Sequence, residues 1–374
     1  MMSERTNTRE SISKHPPSVK KNVNLYSVVL SALLLIVLYF VLMKIEGSAN
    51  ALVPRIARLC AINIVLALAM NLINGFTGIF SLGQAGFMAV GAYTTALLTI
   101  EPARKLSMYI VTPIVKPLET LTLPFGLTLI IGGLIAAGLA FLIGVPCLRL
   151  RGDYLAIATL GFSEIIRVFI MNAQSLTNGA QGLKSIPPNA TILWTYGVAL
   201  AVIAFMALFT TSSYGRALKA VREDEIAAES MGVSLFKHKM MSFMISAFLA
   251  GVGGGLLAAY NGTIGQDMFR VMQTYNVLMI VVMGGMGSIS GSVIAAFVVT
   301  IGQEMLRVLD GPINLGFWKT SGIAGMRMVV FSALLLVVIV FFRNGLFGTK
   351  ELTWSGIVRN IEKLAGRGKR GEVA

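Results

Sequence analysis

Glu164 and Arg167 stand three residues apart inside the apolar run Tyr154–Met171, so on a helix they share one face. Ionisable groups so placed face a bundle interior or a headgroup layer. They serve either as a substrate or gating network or as a local neutralising pair. The stretch Asn74–Ala92, NGFTGIFSLGQAGFMAVGA, offers a second chemistry. Gly75, Gly78 and Gly86 permit close backbone approach, while Ser81 and Gln84 supply hydrogen bonds in a low dielectric. Such a wall lines a conduit or packs a structural core. Gly253, within GVGGG at Gly251–Gly255, and Gly284, Gly285 and Gly287, within GGMGSISGS, read as helix interruptions. Unwound membrane helices line substrate paths in transporters.

The third pattern is the polar segment Tyr214–Met240, YGRALKAVREDEIAAESMGVSLFKHKM, between two apolar runs. Leu218, Val221, Ala228, Met231 and Leu235 recur at near-helical spacing, which predicts an amphipathic helix. Gly232 is expected to interrupt it, with Ser234 capping a short second helix. Lys219 with Glu223, and Arg222 with Glu225, have the spacing of exposed helical pairs. The segment is a docking element for a soluble partner or an ordinary loop with one solvated face.

Enzyme chemistry finds little support. His15 lies in a polar tail and His238 in a basic loop, so no histidine cluster is available for zinc or proton transfer. No GxxxxGK[ST] stretch occurs, and Gly285-Met286-Gly287 lacks both the third glycine and the βαβ setting of a dinucleotide site. No metal or cofactor is expected on this chain. Any ATP that drives transport must be bound by another subunit. An ion-coupled secondary transporter, with Glu164 as the coupling carboxylate, is the alternative of a different class.

The elements that position these residues are membrane spans. The chain is 55% hydrophobic and 13% charged, with mean hydropathy +0.77. A soluble fold could hardly cover that much apolar sequence. The expected fold is all-α and polytopic, with about ten transmembrane segments, tight Gly-rich packing and broken helices. The spans are Leu25–Met43, Leu59–Ile73, Leu82–Ile100, Phe125–Val145, Tyr154–Met171, Ile192–Phe209, Met241–Tyr260, two within Tyr275–Ile301 as either a tilted pair or a re-entrant element, and Gly322–Phe342. A segment containing Pro54 leads into the second, and the second and third should be antiparallel neighbours. Pro146 should stop the fourth. Glu101–Pro124 suits an external loop with a short surface helix, and 172–189 and 303–321 read as loops. Residues 1–24 form a disordered cytoplasmic tail, 25–342 the transmembrane domain with its cytoplasmic segment 213–240, and 343–374 a basic cytoplasmic tail. The net charge of +14 is concentrated in segments flanking apolar runs, which fits anionic lipid headgroups rather than nucleic acid. The Lys and Arg asymmetry places both termini in the cytoplasm. Cys60 and Cys147 lie at or inside spans and imply no disulfide framework.

Several blocks then resemble the LivM-type permease of branched-chain amino acid ABC importers. They are Asn71–Tyr93, Leu148–Val168, Gly215–Gly232, Val281–Ala296 and NGLFG at Asn344–Gly348. The resemblance implies a bacterial inner-membrane subunit paired with a LivH-like permease. Two cytoplasmic ATP-binding subunits, carrying ATP and magnesium, and a periplasmic or surface substrate-binding protein complete the assembly. It implies import of leucine, isoleucine and valine, with urea or a short amide as the alternative cargo. The ATPase-coupling loop carries over to Ala227, Ala228 and Gly232, with Arg216, Arg222, Glu225 and Glu229 around them. Ile226 stands where the wider importer motif has Glu.

The topology is directly testable. Cysteines placed singly at Ser230 and Ser185, in a background lacking Cys60 and Cys147, should label with an impermeant maleimide from opposite faces of the membrane, Ser230 from the cytoplasm. Labelling from the same face would remove the crossing at Ile192–Phe209.

Overall fold

The computed structural model describes residues 51–109, 113–150 and 152–306, with isolated positions at 44, 46, 47 and between 313 and 333. The expected first span, most of the tenth, and both tails lie outside the described residues. All elements below belong to the unit formed by residues 45–374.

Helix α1 spans Leu52–Met70. Pro54 sits within its first turn rather than in a lead-in segment, because an N–H missing there has no intrahelical acceptor to lose. The helix widens into a π-helical stretch, Asn71–Phe76, after which Thr77 N–H donates to Leu72 O (3.1 Å) and Ile79 N–H to Ile73 O (3.1 Å). Residues 77–83 are non-helical, and α2 begins only at Gln84, running to Thr99. Its 16 residues extend about 24 Å, short of a hydrocarbon core of about 30 Å.

Two short helices, α3 (Pro102–Met108) and α4 (Lys116–Thr120), occupy the expected loop. Lys105 ties them together, donating through Nζ to Leu118 O and Leu121 O at 2.8 Å each, and burial lowers its pKa. Helix α5 spans Phe125–Cys147 and carries Pro146 inside its last turn, so it does not stop at Val145. Helix α6 covers Asp153–Asn172. The following stretch contains α7 (Gln174–Thr177), a 3-10 turn at Gly179–Gln181, and a bridge from Leu183 to Ile264. Helix α8, Ile192–Thr211, is capped by Thr191.

The polar segment forms α9 (Ser213–Glu223) and α10 (Glu225–Ser230). Helix α11 then runs for 27 residues from Leu235 to Asn261. The interruption expected at Gly251–Gly255 is absent. Glycine costs a helix about 1 kcal/mol per residue, but here it lets neighbouring helices close in. A Cβ at Gly254 would fall on the Met88 carbonyl, one at Gly251 on Ala136, and one at Gly255 on Thr95 and Leu129. Helix α11 therefore packs most extensively against α2 and α5, and also against α1. It separates α1 from α2, which are not paired along their lengths despite their proximity in sequence.

The Tyr275–Ile301 region resolves into α12 (Val271–Gly284) and α13 (Ile289–Met305), joined by a turn with positive φ at Gly285 and Gly287. At 14 and 17 residues they extend about 21 and 26 Å. A two-residue antiparallel ladder pairs Ile313–Asn314 with Lys319–Thr320 inside the stretch expected as loop. Among the described residues five helices are long and apolar enough to cross a membrane: Leu52–Phe76, Phe125–Cys147, Asp153–Asn172, Ile192–Thr211 and Leu235–Asn261. The fold is that of an all-α polytopic membrane protein.

Substituting Gly254→Val should lower the thermal midpoint of the detergent-solubilised protein by several degrees or abolish its accumulation, since overpacking costs about 1–3 kcal/mol. Gly138→Val, where a new Cβ meets nothing within 4 Å, should leave the midpoint nearly unchanged. Equal behaviour of the two in a fluorescence-detected size-exclusion melt would contradict the α2–α11 contact.

Candidate functional site

Helix α9 starts at Ser212, whose side chain accepts from Gly215 N–H (3.3 Å), and it buries Gly215, Leu218 and Val221. It ends at Asp224, where the backbone turns extended and the carboxylate accepts from Ile226 N–H (2.8 Å) and Ala227 N–H (3.1 Å). The break in the amphipathic segment therefore falls at Asp224, an N-cap. Gly232 instead terminates α10, at φ +84°. Its N–H donates to Glu229 O (2.9 Å), and Val233 N–H donates to Ala228 O (3.1 Å), the paired bonds of a Schellman cap. Ser234 precedes the long α11 rather than a short helix, and its side chain makes no cap bond.

This geometry sorts the segment into two faces. Leu218, Val221 and Ala228 point inward. Ile226 and Met231 are 79% and 85% exposed, and Ala227, Glu229 and Gly232 are exposed beside them. The outward face is therefore Ile226, Ala227, Glu229 and Met231, not the Leu218 stripe. The expected pairs Lys219–Glu223 and Arg222–Glu225 do not form. Glu225 binds Lys239 Nζ at 2.6 Å, with Lys239 only 11% exposed. Arg216 Nη1 donates to Thr211 O (3.0 Å) at the end of α8. Lys219 lies 5.7 Å from the centroid of the Phe76 ring. A Cβ at Gly232 would meet nothing within 4 Å, so a side chain there strains the backbone without crowding this chain.

Arg222 reaches furthest inward, donating from Nη1 to Gly75 O at 2.7 Å. That carbonyl belongs to the π-helical stretch, and glycines make room for the whole cluster, Gly78 for the Arg222 stem, Gly287 for its guanidinium and Gly75 for Asn71. A Cβ at Gly78 would lie 2.9 Å from Arg222 Cγ, one at Gly287 would meet Nη1, and one at Gly75 would strike Asn71 Oδ1. Asn71, fully buried, completes the cluster. Its Nδ2 donates to Ser288 O and Ser292 Oγ (2.9 Å each), and its Oδ1 accepts from Gly287 N–H (2.8 Å). A cleft of about 850 Å³ opens alongside, lined by Phe76, Thr210, Lys219, Arg222 and Ser290 among others.

The remaining singled-out residues lie elsewhere. Ser81 N–H donates to Asn74 Oδ1 (3.2 Å). Gln84 Nε2 donates to Leu66 O (2.7 Å), while its buried Oε1 has no hydrogen-bond partner among the described residues. Gly86 faces Ser163 and Ile166, Gly253 faces Leu66, and Gly284 meets the Gly291 backbone. Gly285 caps α12 at φ +104°. Glu164 and Arg167 pair near the opposite end of α6, at 2.7 Å. Sequence reasoning missed Asn71, Asp224 and Lys239. Asn71 carried a readable signal, since a carboxamide inside an apolar run needs interior partners.

Long apolar helices held on a buried polar hub, with a charged two-helix segment lying across one end, define a multi-pass helical membrane protein. Its residues 52–339 match the family described as branched-chain amino acid transport system / permease component. High-affinity branched-chain amino acid transport system permease proteins LivM of Escherichia coli and Salmonella typhimurium are 36% and 35% identical over 292 residues, 69% of this chain. The chain spans 63% of the length of each. A probable LivH permease of Methanocaldococcus jannaschii is 27% identical over 213 residues, covering 52% of this chain and 61% of that protein. No solved structure matches. The chain belongs to the branched-chain amino acid transport permease family.

Cysteines introduced at Ala227 and Met231, in a background lacking Cys60 and Cys147, should react fast with a soluble maleimide in the purified protein. One at Ala228 should react at least about tenfold more slowly, because it faces the bundle. Equal rates at all three positions would refute the division into inward and outward faces.

Proposed function

We propose that this chain is a permease subunit of an ATP-driven importer that carries leucine, isoleucine and valine across the bacterial inner membrane. The observation that carries the reading is the coupling segment: a rigid, capped pair of helices with an exposed Ile226–Met231 face, keyed through Arg222 to the π-helical stretch of α1. Family membership supports the substrate and the partners. The partners are a LivH-like permease, two cytoplasmic ATP-binding subunits that hold ATP and magnesium, and a periplasmic or surface substrate-binding protein. In this reading the chain makes about ten crossings with tight Gly-rich packing, and both termini are cytoplasmic. Arg216, Arg222, Glu225, Ala227, Ala228, Glu229 and Gly232 form the ATPase-coupling loop. Ala227 and Glu229 touch the ATPase, whereas Arg222, Glu225 and Ala228 hold the loop to the bundle.

Mechanically, a force on α9 and α10 is delivered through a short, charge-assisted contact rather than dissipated in a mobile loop. Arg222 passes it to Gly75, and Asn71 passes it on to the turn between α12 and α13. Both ends of that relay adjoin discontinuities in the helices, where backbone rearrangement is least costly.

A strain lacking this chain should lose uptake of labelled leucine and recover it on complementation, with labelled urea uptake unaffected. Unchanged leucine uptake with lost urea uptake would reject the substrate assignment. In the complemented strain, Arg222→Ala should leave recovery with a tagged ATPase subunit within about twofold of wild type while reducing leucine uptake about tenfold or more. Full uptake in that variant would reject the relay.

A further inference from the structure

We propose that Glu164 and Arg167 form a docking site for the two charged groups of a free amino acid, at the end of the molecule opposite the coupling segment. The inference rests on the amino-acid import reading above and assigns it a recognition site on this subunit.

The position follows from the fold. Helix α11 leaves the coupling segment at Leu235 and ends at Asn261, so the 3-10 turn Gln266–Phe269 lies at the far end. Gln266 Oε1 accepts from Arg167 Nη1 at 2.6 Å, which places the Glu164–Arg167 pair at that end as well. The pair stands inside an apolar 20-residue helix, where two charges are costly unless they are used or covered.

The bonding is incomplete in a specific way. Arg167 Nε donates to Glu164 Oε2 (2.7 Å) and Nη1 to Gln266 Oε1 (2.6 Å). Among the described residues, Arg167 Nη2 and Glu164 Oε1 have no hydrogen-bond partner. A pair serving only to neutralise itself would do better closed through two bonds. Among the described residues one guanidinium arm and one carboxylate oxygen remain free, on side chains that are 20% (Arg167) and 32% (Glu164) exposed. Their charges complement the carboxylate and ammonium of a zwitterion. Gln266 is itself buried, and the adjoining Phe269 packs against Tyr93 with ring centroids 6.2 Å apart. The guanidinium is therefore held by a fixed element. Val168, which follows Arg167, and Met268, two residues from Gln266, present exposed apolar surface suited to an aliphatic side chain.

The test uses the assembled permease–ATPase complex in proteoliposomes without its binding protein. Binding of labelled leucine is measured in competition with leucinamide, which lacks the carboxylate, and 4-methylpentanoate, which lacks the ammonium. Uptake is measured in parallel with the binding protein added. Losing a charge-assisted hydrogen bond should weaken leucine binding about ten- to a hundredfold. Arg167→Gln should also erase the preference for leucine over leucinamide, and Glu164→Gln the preference over 4-methylpentanoate. The reversed pair, Glu164→Arg with Arg167→Glu, guards against a merely structural role. It should assemble normally yet bind leucine no better than the single variants. Leucine uptake and binding at wild-type level in all three variants would overturn the site and leave the import reading intact. Equal loss of all three ligands in the single variants, with full recovery in the reversed pair, would make the pair structural and overturn the site. A wild-type complex that neither binds nor imports leucine would overturn the import reading, and this site with it.

Discussion

Between Phe76 and Gln84 the backbone leaves helical geometry beside an otherwise closely packed apolar bundle, and the structure depends on how the freed polar groups are satisfied. In hydrocarbon no water is available to do it, so each such group needs a protein partner. Side chains supply several of these bonds. Asn74 pairs with the backbone of Ser81, Thr159 Oγ1 accepts from Leu82 N–H (3.1 Å), and Thr274 Oγ1 accepts from Ala85 N–H (3.0 Å). Helices α6 and α12 are thereby drawn against the start of α2. The short helix α2 can begin inside the bundle because its neighbours carry hydroxyls opposite its first N–H groups.

The same constraint organises the end that bears the amphipathic α9–α10 segment. The π-helical stretch offers the Gly75 carbonyl outside the regular ladder, and Arg222 takes it up. Asn71 then joins the end of α1 to the turn between α12 and α13 through two hydrogen bonds and to Ser292 in α13 through a third. Buried networks of this kind are costly when half satisfied and rigid when complete. The α9–α10 segment thus rests on a rigid hub, and its caps at Ser212, Asp224 and Gly232 fix its outward face without help from a partner.

Glycine plays two physically different parts. In α11 it is a surface, allowing Met88, Ala136 and Thr95 to approach a helix that never breaks. At Gly78, Gly232, Gly285 and Gly287 it is a conformation, with φ between +73° and +104°. Both parts are written with the same letter, and runs such as GVGGG and GGMGS look alike until their neighbours are known.

Sequence by itself determined what depends on composition and local period. Long apolar runs fixed α1, α5, α6, α8 and α11 as spanning-length helices, and the charged interval at Tyr214–Met240 fixed the position of the amphipathic segment. The motif blocks carried the family. Tertiary structure decided whatever depends on which surface meets which. It kept α11 whole through its glycines, because close neighbours outweigh intrinsic helix cost, and it inserted α11 between α1 and α2. It moved the break in the amphipathic segment to Asp224, where a carboxylate satisfies two free N–H groups. It also turned Arg222 away from Glu225, three-residue spacing notwithstanding. A buried carbonyl without a donor costs more than an exposed ion pair returns, and only the folded chain shows that the Gly75 carbonyl is there.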